Sequence, residues 1–250
     1  MELSARFADA DSFVLGCFDA ADALCGLLAA FRDGDYLQTT AFNAVCAECY
    51  ADFTEYLRLN YAHAEINVGV SAENKDACDA LGHAGFALIE ASHDMRLERS
   101  AFPSHSLNRS PGILRVRSGD LAEYARFHDA HFPDVYWNAR RLGERLDDWL
   151  IFAAKERGAV RAGMYLTVYG ENGENAEIYG LAAEPSHEWL LDELLARGLD
   201  DLFAEKLGVR KVVFMIDEAD GARLAPAERL GFTRRGMSRL YSLPRGRQGD

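Results

Sequence analysis

The chain has 250 residues, 49% apolar and 27% charged, with a formal net charge of −13. That composition fits one large or two small folded domains and excludes a disordered segment, and no apolar run approaches the ~20 residues of a membrane span. Residues 1–98 hold 5 Lys and Arg against 17 Asp and Glu, a net of −12, and residues 99–250 hold 22 against 23, a net of −1; neither half has the basic stripe with interleaved aromatics that a nucleic-acid partner needs.

The opening residues include Asp9 and Asp11 and no long apolar stretch. No secretory leader is expected, and the chain reads as a cytoplasmic protein with no membrane partner. Strands are expected over 12–18 and 23–31, around the turn Asp19-Ala20-Ala21-Asp22. A third strand over 36–44 follows Asp33-Gly34-Asp35, then a helix over 46–59, a strand over 65–70, a helix over 74–83 and a strand over 86–96. All five cysteines, Cys17, Cys25, Cys46, Cys49 and Cys78, lie in this half. Cys46 and Cys49 open the first helix, but no second Cys pair or His cluster at zinc spacing accompanies them, so reduced, incidental thiols and no metal are expected.

Residues 99–112 hold two of the six prolines and four serines without a helical or strand period. They read as a linker between domains at 1–98 and 113–250. Beyond them the pattern gives a strand over 113–117, helices over 121–132 and 138–146, and strands over 149–155, 160–169 and 176–183. A long helix over 186–207 carries Leu190, Leu191, Leu194, Leu195, Leu199 and Leu202 at helical spacing and stops at Gly208. An apolar strand over 209–216, a short helix over 222–230 and a terminal strand or hairpin over 232–243 complete the chain. Its alternation of strands and helices is that of an α/β protein with a mixed sheet.

The two halves end alike. Each reads strand, acidic turn, short helix, Gly-Phe, strand, with Gly85-Phe86 and Gly231-Phe232 in register and Met95 matching Met237. Such internal similarity points to duplication. With Asn74-x-x-Ala77 leading to Gly85-Phe86, this element order resembles the GNAT superfamily of acyl-CoA N-acyltransferases in tandem. The second copy is complete, and the first lacks its opening β-α-α section.

The resemblance implies a cleft between 177–183 and 209–216 in which acetyl-CoA, as acyl donor, meets a small-molecule or peptide amine. The pantetheine edge would be Leu181, Ala182 and Ala183. The pyrophosphate loop would span 184–191, with Ser186, His187, Glu188 and Trp189. Glu177 would be the general base through water, with Tyr179 beside it, and Asp134, Tyr136 and Trp137 would bind the acceptor. The loop departs from the family's Arg/Gln-x-x-Gly-x-Gly pattern: Ser186 stands at the Arg/Gln position, and Trp189 and Leu191 at the glycines. The usual general-acid Tyr, four residues before Gly-Phe, is Leu81 in one half and Ala227 in the other. The competing expectation is a catalytically inactive GNAT-fold module that binds another ligand or a protein. A homodimer in which incomplete halves complement each other is also open.

Overall fold

A computed structural model describes residues 12–103, 112–133 and 135–246. It comprises two compact units, Met1–Ser92 with Gly236–Asp250, and His93–Arg235. This is not the sequential division expected at 99–112. No helix among the described residues is long and apolar enough to cross a membrane.

In the first unit, β1 (Ser12–Phe18), β2 (Leu24–Asp33) and β3 (Tyr36–Ala44) form an antiparallel meander. The helix α1 (Ala47–Asn60) then returns the chain to β4 (Glu65–Ser71), which runs parallel to β3. After α2 (Lys75–His83) the chain enters β5 (Ala87–Glu98). The outer neighbour of β4 is the chain's last strand, β11 (Thr233–Leu243), antiparallel from Ser238 opposite Ser71 to Leu243 opposite Ile66. Residues 233–243 are therefore one strand and not a hairpin. α1 buries Tyr50, Phe53 and Leu57 against Leu28, Leu37, Phe42, Ile66 and Val68, and this is the unit's core.

In the second unit, β6 (Ile113–Arg115), α3 (Leu121–His131) and α4 (Ala139–Glu144) precede the antiparallel β7 (Trp149–Glu156), β8 (Ala159–Tyr169) and β9 (Asn175–Ala183). Then come α5 (Leu190–Glu205), β10 (Lys211–Asp217) and α6 (Gly221–Arg229). The strand order is β5-β10-β9-β8-β7-β6. Alternation along the strands sends Leu150, Phe152, Met164, Leu166, Ile178 and Leu181 to the α5 side, where Leu194, Leu195, Leu199 and Leu202 are fully buried. Trp149, Ile151, Ala153, Tyr165 and Ala182 face α3 and α4 instead. Each fully buried Leu on α5 contributes about 1.5–3 kcal/mol by leaving water.

Both Gly-Phe pairs do the same job. Gly85 and Gly231 follow their helices at φ +88° and +93°, a conformation that favours glycine. The Phe86 and Phe232 amides then donate back to Leu81 and Ala227 carbonyls, 3.0 Å in each case. Asn74 caps α2 by accepting from the Ala77 amide, and Asp220 caps α6 through the Arg223 amide. The expected linker is not loose at its start. Arg99–Ala101 is a 3-10 turn, and the Arg99 guanidinium donates to the carbonyls of Phe203, Lys206, Leu207 and Val209 at the end of α5. Those carbonyls lack helical partners, so the cation there is stabilising. Residues 104–111 lie outside the described residues.

Candidate active site

The site of the second unit begins where β9 leaves β10. The two strands pair in parallel only from Asn175 opposite Lys211 to Ile178 opposite Phe214. Beyond Ile178 the β10-facing edge of β9, residues 179–183, has no strand pairing to β10. The pairing of β9 with β8 also slips there, because Leu166 faces Ile178 and Tyr165 faces Gly180. Tyr179 is thus the extra residue of a bulge, and bulges re-aim side chains beside functional sites.

Glu177 and Tyr179 meet at this fork. Glu177 and Tyr179 are two residues apart across the bulge of β9. Burial pushes the Glu177 carboxyl above its ordinary value, and the neighbouring Tyr179 hydroxyl partly opposes the rise. Burial and the neighbouring Glu177 charge push Tyr179 up as well, so its phenol holds its proton. Tyr179 stays 42% exposed, open to a ligand.

Aromatic rings wall the fork. Trp149 meets Tyr179 edge-on at 5.3 Å, and Trp137 meets Trp149 at 4.9 Å. Tyr136 packs edge-on against Trp137 at 5.1 Å, under the Arg141 guanidinium. Tyr165 stacks on Tyr179 with centroids 6.4 Å apart. The loop residues Tyr136 and Trp137 are thereby joined to Glu177 and Tyr179 through Trp149. Asp134 lies outside the described residues. Behind the wall, His128 is fully buried with Nδ1 3.5 Å from an Asp129 oxygen, and burial lowers its affinity for a proton while Asp129 partly opposes the drop. The Tyr124 hydroxyl and Trp149 Nε1 are buried without partners.

The loop after β9 is not the long helix start expected from Ser186. Pro185–His187 forms a 3-10 turn, and α5 begins at Leu190. Pro185 can enter a helical turn only at its start, which separates the two pieces. The Ser186 hydroxyl meets His187 Nδ1 at 2.8 Å, and His187 Nε2 meets Glu156 at 2.8 Å. Arg161 donates to both oxygens of Glu184, at 2.9 and 2.7 Å. Glu188 is exposed, and Trp189 is 59% exposed and leans into no core. Leu181 is fully buried on the α5 side, Ala182 faces α3, and Ala183 is half-buried. A cavity of about 420 Å³ adjoins the loop, lined by Glu123, Arg126, Phe127, His131, Val160 and Glu184 among others.

The first unit has its own fork. β3 and β4 pair only from Tyr36 opposite Glu65 to Gln38 opposite Asn67. Past that point a cavity of about 180 Å³ opens, lined by Thr39, Thr40, Phe42, Asn43, Ser71 and Asn74 among others. The Tyr50 hydroxyl accepts from the Ala44 amide and from Asn74 Nδ2 at its rim. The Trp149 and Tyr165 walls and this second fork have no local sequence signal, because each depends on which strands become neighbours.

No family model and no curated protein matches the sequence. Solved structures do match the fold. One is a GCN5-related N-acetyltransferase from Kribbella flavida, 17% identical, covering 90% of each chain with a TM-score of 0.64. A GCN5-related N-acetyltransferase from Sphaerobacter thermophilus is 12% identical, covers 92% of this chain and 80% of its own, and has a TM-score of 0.66. A tandem GNAT protein from the clavulanic acid biosynthesis pathway is 14% identical, covers 98% of this chain and 87% of its own, and has a TM-score of 0.60. At these identities the likeness is one of fold. With its parallel strands forking at Ile178 and Phe214, this chain has the GNAT fold.

Proposed function

We propose that the second unit is an N-acyltransferase that moves an acyl group, acetyl, from coenzyme A to an amine of a small molecule or peptide. The observation that carries this reading is the fork, where the open edge of β9 runs on from Glu177 and Tyr179. The edge suits the pantetheine arm, which can pair with backbone as an added strand does. The diphosphate end suits the group less well. The loop has no glycine, its Ser186 and His187 are engaged with each other and with Glu156, and Glu193 on the first turn of α5 has a buried unpartnered oxygen. Ser186 and His187 remain the polar groups nearest that end.

The bound thioester supplies an activated acyl carbon. Glu177 accepts a proton from the attacking amine through a water, as its carbon–nitrogen bond forms. Tyr179, kept protonated by burial and by Glu177, donates to the departing sulfur as the carbon–sulfur bond breaks. The Trp137, Trp149 and Tyr136 rings orient the acceptor and exclude water.

Calorimetric titration with acetyl-CoA, CoA and longer acyl-CoAs, followed by thiol release with a panel of amines, tests this. Binding of acetyl-CoA and amine-dependent thiol release are expected; no binding of any of them at millimolar concentration overturns it. The acidic, glycine-free loop favours a second reading, a non-catalytic binding module, which thioester binding without turnover on any amine would select. Trp189 crowds the diphosphate end in either case. Replacing Trp189→Gly is expected to tighten CoA binding several-fold, and unchanged or weaker binding would reject crowding as the limit.

A further inference from the structure

Four of the five cysteines, Cys17, Cys25, Cys46 and Cys49, lie at one end of the first unit, and the sulfurs of Cys17, Cys46 and Cys49 are in contact. Cys17 lies at the end of β1, opposite Gly26, which is itself opposite Ala44, so all three share the sheet face that α1 covers. Cys46 is the N-cap residue of α1, and Cys49 lies in its first turn. The Cys49 thiol is buried and donates to Cys17 Sγ at 2.8 Å. The Cys46 thiol is half-buried and donates to Cys49 Sγ at 3.4 Å. Cys49 is therefore between two thiols, one brought from 32 residues away by the fold and one three residues away on its own helix. No group of three or more His, Cys, Asp or Glu among the described residues is arranged to hold a metal ion. Sulfurs in contact without metal geometry are poised for a bond of about 2.05 Å between them.

We propose that this cluster is a dithiol–disulfide site, in which a low-molecular-weight disulfide such as glutathione disulfide oxidises Cys17 and Cys49 to a cross-link, with Cys46 as the thiol of entry. Cys46 attacks the small disulfide and releases one thiol, leaving a mixed disulfide. Cys49 then attacks the Cys46 sulfur, releases the second small thiol and forms Cys46–Cys49. Cys17 attacks Cys49 and returns Cys46 to the thiol. In sum, two protein thiols lose two protons and two electrons, one protein disulfide forms, and one small disulfide takes them up to become two thiols. The hydrogen bond to Cys17 and burial hold the Cys49 thiol above its ordinary value, so the less buried Cys46 reacts first; Cys49 gives up its proton to the departing small thiolate as it attacks Cys46. The cross-link ties β1 to the first turn of α1, one residue before Tyr50, whose hydroxyl bridges Ala44 and Asn74 at the rim of the first unit's cavity.

The test uses the full chain, fully reduced and then equilibrated with increasing glutathione disulfide, with free thiols alkylated and peptides mapped by mass spectrometry. One disulfide, Cys17–Cys49, is expected, with Cys25 and Cys78 alkylated and a higher midpoint of thermal unfolding than the reduced chain. Cys17→Ser is expected to divert the bond to Cys46–Cys49, and Cys25→Ser to leave the wild-type pattern unchanged. The wild-type map decides the matter even if a variant fails to fold. No internal disulfide at any ratio, a mixture in which Cys78 takes part equally, or stoichiometric zinc that shields the thiols from alkylation would each overturn it.

Discussion

Replacing Glu177→Gln is expected to lower kcat about 10²–10⁴-fold while leaving the KM of the acyl donor nearly unchanged. Gln keeps the shape of the side chain, but it takes no proton from the amine. The pH profile separates this role from a structural one. Burial raises the Glu177 carboxyl above the ordinary ~4.3 of glutamic acid. The base form is therefore lost earlier on acidification, and kcat should fall through that raised value in the wild type and show no such limb in the variant. Stability runs the other way. A carboxyl whose folded pKa is raised holds its proton more tightly in the native state, so its ionisation costs stability once the pH exceeds the unfolded value. The neutral amide removes that cost, and Glu177→Gln should melt no lower than the wild type at neutral pH. A variant that loses activity by unfolding would melt lower, and a profile with the acid limb intact would show that Glu177 is not the base.

Gly180→Ala is expected to lower stability by about 1–3 kcal/mol or more. A Cβ at this position would lie 2.2 Å from Tyr165 Cε1 and 2.8 Å from Phe132 Cε1. Neither ring is the free end of a flexible chain. Tyr165 is 1% exposed and is held by His128, Phe132, Trp149 and Tyr179. At about 2–4 °C per kcal/mol for a chain of this size, the melting midpoint should drop by several degrees. The added methyl also moves the ring on which Tyr179 stacks, so turnover should fall in whatever fraction remains folded. Gly82→Ala, in α2 with nothing within 4 Å of the new Cβ, is the control and should be neutral or slightly stabilising. Equal melting of both variants with the wild type would reject the close approach at Gly180.

The elements were legible in the sequence because local physics writes them. Leu194, Leu195, Leu199 and Leu202 recur at helical spacing, Asn74 and Asp220 stand where a cap must accept an amide, and Gly85 and Gly231 stand where the backbone turns left-handed. The sequence places the start of α5 too early, at Ser186, because Ser186 is an acceptable cap and Pro185 an acceptable first-turn residue, whereas the chain makes a separate turn there. Partnership between strands is not written locally. Nothing near Trp149 says that it will stand against Tyr179, and nothing near Cys17 says that Cys49 will arrive. Burial along β11 does not alternate, so no local period announces the register in which it pairs with β4.

That last strand carries an implication for how such a protein can be cut or inherited. β5 starts in one unit and finishes in the other, and β11 makes the same journey in reverse. A stop codon after residue 112 would strip β4 of its outer partner and leave a row of open amides and carbonyls, a template for aggregation. Neither copy is then a detachable cassette. Losing either unit would take with it part of a strand that the other unit uses.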